Sequence, residues 1–219
     1  MKDLYIVANW KENKTKEEAL VFLEEFSDTY KPKSGVTTII CPPYLLVPVV
    51  SEFIKSKNIG VVLGVQDISK FDGGAHTGEV SAREASEFAK FSIIGHSERR
   101  SLGETDEDVE VKVMQALKNN IKPIVCVINE NVPVPSGVTI VAYEPIEAIG
   151  TGNPDTPENA EKVAASIKAK NNPVKRVLYG GSVTSDNVVK FIAMESVDGV
   201  LVGGASLNAS SFVSLIDKC

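Results

Sequence analysis

The fold class this chain predicts is α/β, a parallel barrel of eight strands ringed by helices, and three observations predict it. Short apolar runs alternate with helical periods from end to end. The runs are continuously apolar, as strands covered on both faces are, and do not alternate with polar residues. An open doubly wound sheet would carry a dinucleotide fingerprint after its first strand, and Ala8-Asn9-Trp10-Lys11-Glu12-Asn13 stands there instead. No linker or low-complexity stretch divides the 219 residues, so residues 1–219 are expected to form a single domain.

The elements follow in order. Strands are expected at residues 4–8, 37–41, 61–65, 91–94, 123–128, 139–143, 177–179 and 199–202. A helix over 15–30 sets Ala19, Phe22, Leu23, Phe26 and Tyr30 on one face at three- and four-residue spacing. Ser81 with Glu84 is a capping box opening a helix to Lys90. Thr105 caps a helix reaching Asn120, with Val109, Val113, Ala116 and Leu117 inward and Val111 and Met114 outward. Residues 129–138 contain Pro133, Pro135 and Gly137 and are too short for a covering helix, so the helix between strands five and six is reduced or missing. Thr156 followed by Pro157 opens a helix with Ala160, Val163, Ala164 and Ile167 inward. Thr184 starts another, and a last helix reaches Asp217.

Composition narrows the function. Hydrophobic residues at 43% and charged residues at 24% are those of an ordinary soluble domain. A net charge of −6 with no basic run argues against nucleic acid as a partner. No apolar run approaches the ~20 residues of a membrane helix, and strand-like sequence begins at once after Lys2 and Asp3, so neither membrane nor cleavable leader is expected. Cys41, Cys126 and Cys219, odd in number and scattered, point to free thiols and a cytoplasmic location. Cys41 and Cys126 fall in strands and are expected as small core residues.

In a barrel of this kind the strand-to-loop junctions at the C-terminal face carry the chemistry. Strand one ends in Asn9-Trp10-Lys11, where an ammonium could neutralise an anion. Strand four runs into Gly95-His96-Ser97-Glu98-Arg99-Arg100, and Ser97 opens a short helix whose positive end disfavours an imidazolium at His96. Strand six presents Glu144, and Pro145 removes a ladder donor and stops the strand there. An apolar tip and Gly150-Thr151-Gly152 follow, a hinged flap of the sort that excludes water from a reaction. Strands seven and eight end in Gly180-Gly181-Ser182 and Gly203-Gly204-Ala205, whose backbone amides can approach a phosphate closely, with a short helix expected near Ala205.

The run from Val141 to Gly152 closely resembles the catalytic-glutamate and lid segment of triosephosphate isomerases. Asn9-Trp10-Lys11, Gln66, Gly78-Glu79, the segment from Gly95 to Arg100, Cys126, Tyr179 to Ser182 and Gly199 to Leu207 follow in that family's order. The resemblance covers essentially the whole chain. It implies a TIM barrel that interconverts dihydroxyacetone phosphate and D-glyceraldehyde 3-phosphate through an enediol(ate). By it Glu144 is the base, His96 moves protons between the two oxygens as a neutral group, and Lys11 stabilises the enediolate. A glutamate base with a neutral histidine at a helix N-terminus is that family's known arrangement. Asn9, Ile149, Gly150, Gly181, Ser182, Gly203 and Gly204 are implied as substrate-binding, and Glu98 and Arg99 as supports behind them. No cofactor and no metal are implied.

The chain departs from the family at three places. Pro145-Ile146-Glu147 puts a charge where the lid usually has a Trp. Asn129-Glu130 stands near where a Gly-Glu is usual, and the chain is as short as archaeal-type members. The resemblance also implies a homodimer through the 67–79 loop, with Thr77 reaching toward the partner subunit's Asn9 and Lys11. Val111 and Met114 beside an uncovered barrel flank would allow a homotetramer. The alternatives are a noncatalytic phosphate-binding barrel and another sugar-phosphate isomerase or epimerase. An epimerase would need metal-ligating His and Asp at several strand ends, whereas only His76, expected at the surface, and His96 are present.

Overall fold

A computed structural model of the chain describes residues 2–148 and 152–219. Its strands are β1 (Leu4–Asn9), β2 (Val36–Cys41), β3 (Val62–Val65), β4 (Phe91–Ile94), β5 (Lys122–Val127), β6 (Ile140–Tyr143), β7 (Arg176–Tyr179) and β8 (Gly199–Val202). Each pairs in parallel with the next, and β8 returns to β1 to close a barrel of eight. Strand side chains alternate between two buried environments. Val7, Ile39, Cys41, Ile93, Ile124, Cys126, Ala142, Leu178 and Leu201 form the inner cluster. Ile6, Ala8, Ile40, Val125, Val141, Val177 and Val200 face outward against the helices. The alternation positions the site, because Asn9 and Glu144 each lie two residues beyond an inner residue, Val7 and Ala142.

The helices begin where short polar side chains cap them. α1 (Lys16–Thr29) starts from a capping box of Thr15 and Glu18 and buries Ala19, Phe22, Leu23 and Phe26. α2 (Val47–Lys57) has no side-chain cap; it begins Val-Pro-Val-Val and ends at Asn58 in the left-handed region. Pro48 in its first turn is the one local start signal, and this helix is not among the elements expected above. α3 (Ala82–Ser86) has the expected Ser81–Glu84 box but stops four residues short of Lys90, because a capping box fixes only a start. Lys90 leaves the helix altogether, its N–H donating to the Leu63 carbonyl.

After β4 come α4 (Ser97–Ser101) and α5 (Asp106–Lys118), the latter with a Thr105–Asp108 capping box. The buried face of α5 is Val109, Lys112, Val113 and Ala116. Leu117 is therefore not inward as its spacing implied, but 42% exposed, at the edge of that stripe. Met114 is outward at 57% exposure, as expected, while Val111 is half-buried. No helix forms between β5 and β6, in agreement with the sequence reading. The flank there is not bare, since Val138 is buried and Val132 and Val134 pack against the core. Lys170 ties this segment down, donating to the Glu130 carbonyl at 3.3 Å and Asn131 Oδ1 at 3.0 Å.

α6 (Pro157–Lys170) is capped by Thr156 and buries the four predicted residues. α7 (Val188–Ile192) begins after Asn187, not Thr184. Asn187 Oδ1 accepts from the Thr184 N–H at 2.9 Å and turns 184–187 into a separate loop. Beyond β8 the short helix expected near Ala205 forms as one 3-10 turn, Gly204–Ser206, and α8 (Ala209–Asp217) completes the ring. No helix among the described residues is long and apolar enough to cross a membrane.

Candidate active site

The end of β1 is fixed from several sides. Asn9 is buried, and its Oδ1 accepts from the Lys11 N–H at 3.1 Å. Gln66, just beyond β3, donates from Nε2 to the carbonyls of Lys11 and Cys41, both at 2.9 Å. These bonds hold Lys11 at φ 52°, a left-handed conformation uncommon for a residue with a Cβ. Its ammonium then lies over the barrel mouth, 2.5 Å from Glu98 Oε1.

His96 caps α4, and the hydrogen bonds around its ring assign the proton. Nδ1 accepts from the Glu98 N–H at 3.2 Å, so that nitrogen carries no hydrogen. The proton sits on Nε2, which lies 3.1 Å from Glu144 Oε1. Glu144 Oε2 meets the Ser97 N–H at 3.4 Å. Glu144 is 2% exposed, with the buried Cys126 beneath it on the neighbouring strand. Burial first, and then the charge of Glu144, push the Cys126 pKa well above the thiol range, so this cysteine is no nucleophile.

Across from these groups lie the two glycine pairs. A Cβ on Gly180 would come within 2.8 Å of Glu144 Cγ, so the glycine is what lets strand seven pass beneath the carboxylate. Gly181 lies behind the wall, where a Cβ would stand 2.6 Å from the Tyr179 hydroxyl and 2.8 Å from Ala148 Cβ. A side chain at this position would meet both groups, so the close packing under Ala148 requires glycine. Ser182 Oγ donates to the Ala148 carbonyl at 2.5 Å and accepts from the Gly152 N–H at 3.2 Å, bonding to both sides of the lid's tip. Ile149 and Gly150, expected to bind substrate, lie outside the described residues.

Asn9, Lys11, His96, Glu144, Gly180, Ser182, Gly203 and Gly204 line one cavity of about 330 Å³. Lys11 is the single Lys or Arg among its described lining residues. Thr184 and Asn187 line it too; Asn187 Nδ2 donates to the Ser182 carbonyl at 3.0 Å and holds that turn. Their signal was the polar run after Gly-Gly-Ser, which reads equally well as a helix start. Glu98 and Arg99 stand outside this cavity, on a neighbouring one of about 510 Å³. Arg99 Nε is 3.1 Å from Asp67 Oδ2 and so braces the root of the 67–79 loop. His76, expected at the surface, is half-exposed among exposed neighbours of the 67–79 loop and stacks on Phe71, with ring centres 3.6 Å apart.

The triosephosphate isomerase family model matches residues 4–134 and 134–219. The chain belongs to the triosephosphate isomerase family. The match breaks at Val134, inside the segment between β5 and β6 that lacks a helix. Triosephosphate isomerase of Mesomycoplasma hyorhinis is 38% identical, over 99% of this chain and 98% of that protein. Triosephosphate isomerases of Leifsonia xyli and Thermus thermophilus are each 37% identical, over 96% and 99% of this chain and 95% and 98% of those proteins. Membership rests on the whole barrel, and the cavity at its mouth is where the family resemblance in the sequence placed the chemistry.

Proposed function

We propose that the chain, acting as one barrel domain over residues 1–219, interconverts dihydroxyacetone phosphate and D-glyceraldehyde 3-phosphate. The observation that carries this is the facing of Glu144 and His96 Nε2 across 3.1 Å at a cavity closed on its far side by Gly203 and Gly204. The backbone amides around Ser182, Gly203 and Gly204 take the phosphate, and Lys11 supplies the one Lys or Arg charge among the described residues that line the cavity. Glu144 removes a proton from the carbon beside the carbonyl, leaving an enediolate whose charge faces Lys11. His96 gives its Nε2 proton to one oxygen and takes the proton of the other, and Glu144 returns its proton to the neighbouring carbon. Proton count and charge are restored at the end of each turn. A site that merely bound phosphate would need no buried carboxylate against a histidine. The test is a coupled assay run in both directions; turnover is expected, and phosphate binding without turnover would contradict the reading.

The 67–79 loop serves a homodimer in this reading. Pro43, Tyr44, Asp67, Glu79 and Leu102 border the 510 Å³ cavity beside Asn9 and Lys11, which is space for a partner's loop tip. Leu45 and Leu102 stand 95% and 78% exposed, as an interface would cover them. Met114 and Leu117 on α5 offer a second contact that would make a tetramer. Light scattering at micromolar concentration is expected to give at least a dimer mass, and a monomer would overturn the loop's role. If a tetramer is seen, Met114→Lys should split it into active dimers. The cytoplasm is the compartment that fits three free cysteines, two of them buried.

A further inference from the structure

The loop after β1 holds a lysine that this chemistry does not use. Lys14 is half-buried and has φ 77°, a conformation that strains a residue with a Cβ and costs glycine nothing. Its own side chain accounts for its staying there. Nζ lies 4.8 Å from the Phe22 ring centre and 5.3 Å from the Trp10 ring, within cation–π range of both. It also donates to the Leu207 carbonyl at 2.7 Å, across 193 residues of sequence. Trp10 is fully buried and meets Phe22 edge-on at 4.9 Å, so the ammonium caps a fixed aromatic pair.

Both ends of this clamp adjoin the active cavity. Trp10 stands between Asn9 and Lys11, which line one wall. Leu207 ends the tight turn Gly204–Ser206, its N–H donating to the Gly204 carbonyl at 3.1 Å, and Gly203 and Gly204 form the adjoining wall. The two walls come close, since a Cβ on Gly203 would be 3.7 Å from Lys11 Cε. We propose that Lys14 is a positioning residue for anion binding: it clamps the loop after β1 to the turn after β8 and so sets the spacing between the Lys11 ammonium and the Gly203–Gly204 amides. The proposal rests on the reading above, in which those two walls hold the substrate's phosphate.

Lys14→Gly separates this role from a merely structural one, because glycine relieves the left-handed strain while removing the clamp. The melting temperature is expected to stay within a few degrees. KM for the triose phosphate and the inhibition constant of inorganic phosphate are expected to rise about tenfold, with kcat changed by less than about twofold; a full 1 Å misplacement can cost ~10²-fold. Lys14→Arg can still donate to Leu207 and stack on Trp10, and should restore both constants. Lys14→Asn tolerates the left-handed backbone but is too short to reach Leu207, and gives the same reading if the glycine variant does not fold. Unchanged KM and inhibition constant in Lys14→Gly or Lys14→Asn would overturn the proposal. So would a joint fall of melting temperature and kcat that Lys14→Arg does not rescue. If the wild-type protein binds phosphate without turnover, the isomerase reading fails, and the phosphate constant still decides the role of Lys14.

Discussion

Glu144→Gln is expected to lower kcat by roughly 10²- to 10⁴-fold while KM changes little, the range that a positioned general base contributes. The substitution keeps the shape of a side chain that is 2% exposed and packed over Gly180, so folding is expected to survive it. It removes the group that accepts the carbon-bound proton and leaves His96, Lys11 and the phosphate walls in place. Glu144→Asp keeps the carboxylate but retracts it by one methylene, on the order of 1 Å, and is expected to cost ~10²-fold. The check is steady-state kinetics with a melting curve for each variant. Wild-type turnover in folded Glu144→Gln would show that Glu144 is not the base.

Lys112→Met is expected to destabilise the fold more than either substitution at Glu144. Lys112 Nζ lies 2.8 and 2.7 Å from the two Asp67 oxygens and also bonds Glu104 Oε1, and its side chain is 7% exposed. Glu104 is 4% exposed and its Oε2 has no partner, so without the lysine two carboxylates face each other in the interior. Stranding buried charge in this way costs about 3–5 kcal/mol, or roughly 10 °C in melting temperature for a chain of this size. Burial already holds the Asp67 carboxyl above the ordinary carboxylate range in spite of Lys112. A raised folded pKa means that the folded state binds the extra proton, so the contribution of Asp67 to stability grows as pH falls through that pKa. The loss in Lys112→Met is therefore expected to shrink in mild acid, and Lys112→Met with Glu104→Gln should recover part of it. Melting curves across pH decide this, and a loss below about 1 kcal/mol at neutral pH would show that the cluster is not what holds α5 to the 67–79 loop.

What could be read from the sequence was what rests on local pattern. The strands fell within a residue or two of their observed ends, because buried runs and helix caps are local signals. Asn9, Lys11, His96, Glu144, Ser182, Gly203 and Gly204 converge on one cavity because each sits at a strand's C-terminal end, and the barrel brings those ends together. What the sequence concealed depends on partners far along the chain. Lys112 displaced Leu117 from the expected inward face because Asp67, from the loop after β3, and Glu104 surround its ammonium. The packing of Tyr179 and Ala148 against Gly181 could not be read from the Gly-Gly pair alone. α2 went unseen because no side chain caps it and β-branched residues fill its first turn, although Pro48 there is a start signal. Thr184 promised a helix that Asn187 delays. Nothing local marks Lys14, because the carbonyl that receives it belongs to Leu207 at the other end of the chain.

If Glu144 moves a carbon-bound proton while the enediolate stays in the cavity, solvent deuterium must reach carbon. The most direct measurement follows dihydroxyacetone phosphate with the wild-type protein in D₂O by proton NMR, with the glyceraldehyde 3-phosphate formed drawn off by a coupling enzyme. The expected result is conversion accompanied by deuterium on the carbon that receives the returned proton, and neither conversion nor exchange in folded Glu144→Gln. Phosphate-competitive binding of the substrate with no exchange at carbon in the wild-type protein would contradict it.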